Sequence, residues 1–249
     1  MADANVGLQL IVYGRRGGQD LAGVLREVKE AGYAGIEAGN LFARHGEAAV
    51  RDLLSETGLK IAGAHSGYGD TSDPAKVEAN IAFLKAVGAQ YLINSGVASR
   101  DSIQGYEDAA AVFNEVGQTC RDNGIMFCYH NHNWEFEAYD GVKGIHRLCE
   151  LTDPDLMKLC VDVYWVHVGG EDPAEFIQRY ADRAVYYHFK DGAPGSFIEL
   201  GDGEVDLPKA LQAALACNPE WIVCEQDRTE LEPKASITKS REYLRSIGL

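Results

Sequence analysis

Residues 159–191 read LCVDVYWVHVGGEDPAEFIQRYADRAVYYHFKD and contain one complete folding unit. Leu159–Val163 is a short, nearly continuous apolar run, the pattern of a strand buried on both faces. Asp172 followed by Pro173 pairs an N-cap oxygen with a proline in the first helical turn, so a helix follows over Pro173–Tyr180. Ala184–Phe189 is a second apolar run. Strand, loop, helix, strand is the unit, and it recurs along the chain.

Working outward, further strands are expected at Gly7–Tyr13, Gly35–Ala38, Lys60–His65, Tyr91–Ser95, Ile125–His130 and Trp221–Glu225. Helices are expected at Asp20–Ala31, Glu47–Thr57, Pro74–Val87, Tyr106–Asn123, Val142–Leu151, Leu207–Ala216 and Ile237–Ser246. Leu21, Val24, Leu25 and Val28 recur at helical spacing and give the first helix one buried stripe. Gly32, Gly58, Gly88 and Gly124 each follow a helical stretch, where a left-handed capping residue is wanted. Eight strand–helix units in 249 residues fit a (β/α)8 barrel occupying 1–249 as one domain. A doubly wound open sheet would carry a GxGxxG turn after an early strand. The first strand here ends in YGRRGG, which has the wrong spacing.

Composition narrows the partners. The chain is 46% hydrophobic, which excludes disordered classes, and no apolar run approaches the roughly 20 residues needed to span a bilayer. The N-terminal stretch lacks a basic region before its apolar run, so it reads as a first strand, not a signal peptide. With 23 Lys+Arg against 38 Asp+Glu, the charge is 23 − 38 = −15. That field repels phosphate backbones and anionic membranes. The six cysteines form no CxxC, and several sit in apolar runs, as expected of free core thiols in a reducing cytoplasm.

In a barrel, chemistry belongs to the C-terminal ends of the strands. Those ends carry Glu37, His65, the YHNHNWEFE run (129–137) with His130, His132 and Glu135, then Asp162, His188 and Glu225. Asp162, His188 and Glu225 end neighbouring strands, and buried charges of this kind must be paired or bound to a metal. A mixed oxygen and nitrogen set suits one divalent ion, Mn²⁺ first, with Mg²⁺, Co²⁺ or Zn²⁺ as alternatives.

These segments resemble the xylose isomerase-like TIM-barrel superfamily, in particular its sugar phosphate isomerase/epimerase group with AP-endonuclease-2-type domains. The resemblance rests on YHNHNWEFE, on the Asp162-Val163-Tyr164-Trp165 run reaching His167 and Gly169-Gly170, and on YYHFKDG, ELGDGEVD and VCEQD. It implies a metal site of Glu135, Asp162, His188 and Glu225, with Glu135 as first ligand because the HNH run occupies the usual place of a strand-five glutamate. It also implies enediolate chemistry on a sugar, as an isomerase or epimerase, with a lyase or dehydratase as the alternative.

Within that reading, Glu225 is a ligand and base, and His130 and His132 move protons. Lys190 holds a carbonyl or enolate oxygen, or else pairs with Asp191 or another acid at the mouth. Glu37, His65, Trp134 and His167 line the substrate pocket, with a structural hydrogen bond as the alternative for Glu37 and His65, and Trp134, Tyr164 and Trp165 can stack on a sugar face. GAPGSF and GDGEVD are the nearest candidates for a phosphate loop, and an acidic mouth disfavours a dianion. A neutral sugar or keto-sugar is the expected partner, with no nucleic acid, no membrane and, at most, further copies of the chain. An abasic-DNA endonuclease and a non-catalytic sugar-binding subunit are weaker alternatives.

Overall fold

In the computed structural model, which describes residues 4–249 apart from residue 194, strand and helix alternate along the chain. The strands are β1 (Asn5–Gln9), β2 (Gly35–Ala38), β3 (Lys60–Gly67), β4 (Tyr91–Ser95), β5 (Met126–His130), β6 (Lys158–Asp162), β7 (Ala184–Phe189) and β8 (Trp221–Cys224). All pair in parallel with their sequence neighbours. Asn5 opposite Trp221 and Val6 opposite Ile222 join β1 to β8 and close the barrel.

The local signals act where they were read. Asp73 and Asp172 accept hydrogen bonds from backbone N–H groups in the first turns of helices Pro74–Val87 and Pro173–Arg179. Gly32, Gly58 and Gly88 close helices in the left-handed conformation.

The structure changes several boundaries. Strand β1 ends at Gln9, not Tyr13, because the Gln9 carboxamide oxygen accepts the Ile11 N–H at 2.7 Å and turns Leu10–Tyr13 into a 3-10 helix. Strand β6 stops at Asp162, which caps a helix over Val163–Val168 by accepting the Trp165 N–H at 3.0 Å. The last helix begins at Pro233, not Ile237. A short antiparallel hairpin, Ala138–Tyr139 with Val142–Lys143, follows β5. Among the described residues, no helix is long and apolar enough to cross a membrane.

Two cores result. The larger lies between the strands and the surrounding helices. The smaller plugs the barrel interior with Tyr91, Ile93, Cys128, Cys160, Tyr186, Trp221 and Val223, packed with Ala62. Glycines make room for this bulk. A Cβ at Gly35 would stand 2.7 Å from the Trp221 ring, and one at Gly63 would stand 2.7 Å from Ile93 Cδ1. All six cysteines are free thiols.

Candidate active site

Successive residues of a strand face opposite sides, so residues two apart share the barrel interior. One step above the apolar plug, this periodicity brings His130 from β5, Asp162 from β6 and His188 from β7 to the mouth, with Glu225 immediately after β8. The four side chains are buried, and one ligand atom from each lies within 4.8 Å of the other three. His130 Nε2 is 3.4 Å from Asp162 Oδ2 and 3.5 Å from Glu225 Oε2, and His188 Nδ1 faces the same Glu225 oxygen. These four atoms are buried and none has a hydrogen-bond partner among the described residues. Buried polar atoms left unpaired are costly, and four that converge on one point fit a bound cation. Two carboxylates and two imidazoles are ligands for a divalent transition ion.

Three expected ligands thus come together, and His130 joins them. Glu135, expected as the first ligand, stands apart from this cluster. Its oxygens accept the Tyr129 O–H at 2.6 Å and the His132 backbone N–H at 2.7 Å. Tyr129 alternates with His130 and packs on Phe113 of the helix Ile103–Asp122, so it draws Glu135 toward the strand–helix layer. Burial raises the Glu135 carboxyl despite those bonds.

Glu37 and His65 hold the cluster from the β2–β3 side. Glu37 is fully buried, with Oε2 2.8 Å from His188 Nε2 and Oε1 2.8 Å from His65 Nδ1. His65 Nε2 in turn meets Ser95 Oγ at the end of β4. A proton on His188 Nε2 donated to Glu37 leaves Nδ1 as the ligand atom, the arrangement by which a carboxylate orients a metal-bound imidazole. Burial would raise the Glu37 carboxyl, but His188 and His65 hold it down at about 2. Of the two roles expected for Glu37, the structure shows the hydrogen-bonding one, with both oxygens occupied by the two histidines.

The site favours positive charge. Burial opposes it at His188, yet the Cys160, Glu37 and Glu225 side chains raise this imidazole well above its ordinary range. Burial likewise opposes ionisation of Glu225, but Lys190, His188 and His130 hold it well below the usual carboxylate range. His132 behaves differently. Burial, aided by the charge of His130, pushes its imidazole down to about 2, so this ring is neutral. It stacks on Trp134 with ring centres 3.9 Å apart, and the Arg100 guanidinium lies 4.3 Å from the Trp134 ring centre.

Lys190 is 0% exposed. Its ammonium is 3.6 Å from Glu225 Oε1 and pairs with Asp227, not with Asp191. Trp165 and Phe197 flank it at 4.7 Å. Burial disfavours the cation, but Glu225, Asp162 and Asp227 outweigh burial and raise it, so it stays charged. Asp191 has a separate task. It accepts backbone N–H groups from Gly192, Gly201, Gly203 and Val205, and so fastens the loop that carries Phe197. His167 ends the helix Val163–Val168 and faces Glu204 at 3.9 Å, outside the cluster.

Asp227 and Ser95 were missed by the sequence reading. Asp227 had a signal: period-two spacing extended one step beyond Glu225 brings it to the mouth beside Lys190.

A family model for the xylose isomerase-like TIM barrel matches residues 25–247. The inosose dehydratase of Mesomycoplasma hyopneumoniae is 28% identical over 267 residues, covering 90% of this chain and 87% of that one. The inosose dehydratase of Geobacillus kaustophilus is 26% identical over 266 residues, covering 89% and 85%. A sugar phosphate isomerase/epimerase from Parabacteroides distasonis shares the fold with a TM-score of 0.85 at 20% identity, covering 98% and 95%. The chain belongs to the xylose isomerase-like TIM-barrel family.

Proposed function

We propose that this family member is a carbon–oxygen lyase acting on a neutral keto-sugar or inosose. It removes the proton next to a carbonyl and expels the β-oxygen as water or an alcohol. The observation that carries this reading is the convergence of His130, Asp162, His188 and Glu225 beside the buried Lys190 ammonium. The four residues would hold one divalent ion, Mn²⁺ by preference, which when bound polarises a carbonyl and lowers the cost of enolate charge.

The chain's own groups divide the proton work. Glu225 accepts the proton from the α-carbon. The C–H electrons form the enolate, whose collapse breaks the bond from the β-carbon to oxygen. Lys190 donates a proton to the departing oxygen, and the products are an enone and water or an alcohol. Trp165 and Phe197 exclude water from this ammonium. The acid excess of the chain supports an uncharged substrate, and the free thiols support a reducing cytoplasmic setting.

Isomerisation or epimerisation is the second reading, favoured by the Lys190 ammonium 3.6 Å from Glu225, which can return a proton to carbon or oxygen after Glu225 removes one. Against it, Glu135, which could otherwise serve as a further carboxylate at the mouth, is engaged by Tyr129 and His132 outside the cluster. The Mn²⁺-loaded protein is to be incubated with 2-keto-myo-inositol and with 3-keto-glycosides in D₂O and followed by NMR. The lyase reading expects an enone and a released water or alcohol. Deuterium at the α-carbon with every oxygen retained would replace it with the second reading.

A further inference from the structure

Beside the reacting centre, the ends of β1 and β2 open into a separate cavity of about 270 Å³. Its position follows from register. Gln9, on its wall, pairs with Glu37, which holds the cluster residue His188. One wall is apolar, formed by Leu10, Ile11 and Leu41. The early end of β1 shapes that wall, because the 3-10 turn begun at Gln9 leaves Ile11 42% exposed, unusual for a large aliphatic side chain in this protein.

The polar wall has donors to spare. Gln9 uses its oxygen on the Ile11 N–H, and among the described residues its amide nitrogen makes no hydrogen bond. Arg44, exposed at the rim, makes no hydrogen bond or ion pair among the described residues. A Cβ at Gly18 would lie 3.8 Å from an Arg44 terminal nitrogen, so the guanidinium lies along the turn that bounds the cavity.

We infer that this cavity is a subsite for a second, non-reacting sugar ring, so that the substrate is a glycoside whose reacting ring lies over the cluster. This rests on the sugar-lyase reading above. A pyranose has an apolar face of C–H groups and a rim of hydroxyls, matching the Ile11 side and the Arg44 side in turn. The net charge of −15 opposes an anionic occupant, which leaves neutral hydroxyls as acceptors for Arg44 and Gln9. Contact remote from the reacting carbons fixes their orientation, which raises turnover as well as affinity.

The test measures binding of glucose, trehalose, cellobiose and gentiobiose to the Mn²⁺-loaded protein by calorimetry and saturation-transfer NMR. At least one disaccharide should bind about tenfold tighter than glucose. Ile11→Ala and Arg44→Ala, both exposed, should remove that advantage and leave glucose binding and the melting temperature unchanged. Equal binding of glucose and every disaccharide overturns the subsite while the sugar reading stands. A disaccharide advantage that survives both substitutions also overturns it. Failure of all four sugars to bind while 2-keto-myo-inositol still binds overturns the subsite alone, and failure of that ketone as well removes the sugar reading with it.

Discussion

The plug and the mouth of this barrel are built from the same strands, two residues apart. Cys128 lies below His130, Cys160 below Asp162, Tyr186 below His188 and Val223 below Glu225. Below, the side chains are apolar or aromatic, with the buried Tyr186 hydroxyl left without a partner among the described residues, and the packing is close enough to demand glycine opposite Trp221. Above, four buried ligand atoms converge with no hydrogen-bond partner among the described residues. The first layer maximises stability, and the second gives some of it up to hold charge in a fixed place.

Single substitutions should separate the two layers. The largest effect is expected from Glu225→Gln. Turnover should fall by about 10³-fold or more and the bound ion should be lost, with the metal-free melting temperature shifted by only a few degrees. Retained ion and full activity would show that the mouth works otherwise. In the plug, Trp221→Ala should cost about 3–5 kcal/mol of stability by urea unfolding while the folded fraction keeps its ion affinity. Coupled loss of both properties would mean that the layers are not independent.

Glu37→Gln probes the join between them. Its loss should weaken ion binding about 10–100-fold in a chelator competition, because His188 loses its orienting carboxylate. Unchanged affinity would return Glu37 to a substrate-binding role. The smallest effect lies outside both layers, at Glu171, which meets Lys143 at 2.7 Å and His146 at 2.9 Å. Burial would raise this carboxyl, but the hydrogen bonds from Lys143 and His146 outweigh it and lower it. A depressed folded-state value means stability present above the unfolded carboxylate range and lost as pH falls through the folded value. Glu171→Gln should therefore cost about 1 kcal/mol at pH 7 and nothing once the pH is below that folded value. A pH-independent difference between the two melting curves would sink this account.

The strand order and the helix caps were legible because each depends on local chemistry: an apolar run, an Asp–Pro pair, a glycine after a helix. Boundaries failed where two buried states share one composition. Gly7–Tyr13 reads as one apolar strand, and only the Gln9 side chain bonding forward to Ile11 reveals the turn. The run after Asp162 likewise hides a helix, since Val163, Tyr164 and Val166 are as buried as strand residues.

The site followed the same rule. Asp162, His188 and Glu225 were readable because each sits on or next to a strand whose direction is fixed by alternation. Glu135 lies beyond the strand in a turn, where spacing says nothing about direction, and the Tyr129 hydroxyl decides it. Asp191 was invisible as a loop fastener because its partners are backbone amides ten to fourteen residues later.

The glycines facing Trp221 carry a consequence for how the chain is made. Gly35, and Gly7 whose Cβ would lie 3.5 Å from the Trp221 ring, belong to strands that leave the ribosome early, while Trp221 arrives with β8, which also zips against β1. Until then the nascent half-barrel has a hollow that its own residues cannot fill and an open strand edge that only β8 covers. Productive folding must wait until β8 has been made, and truncation before residue 221 should leave an aggregating fragment, not a smaller domain.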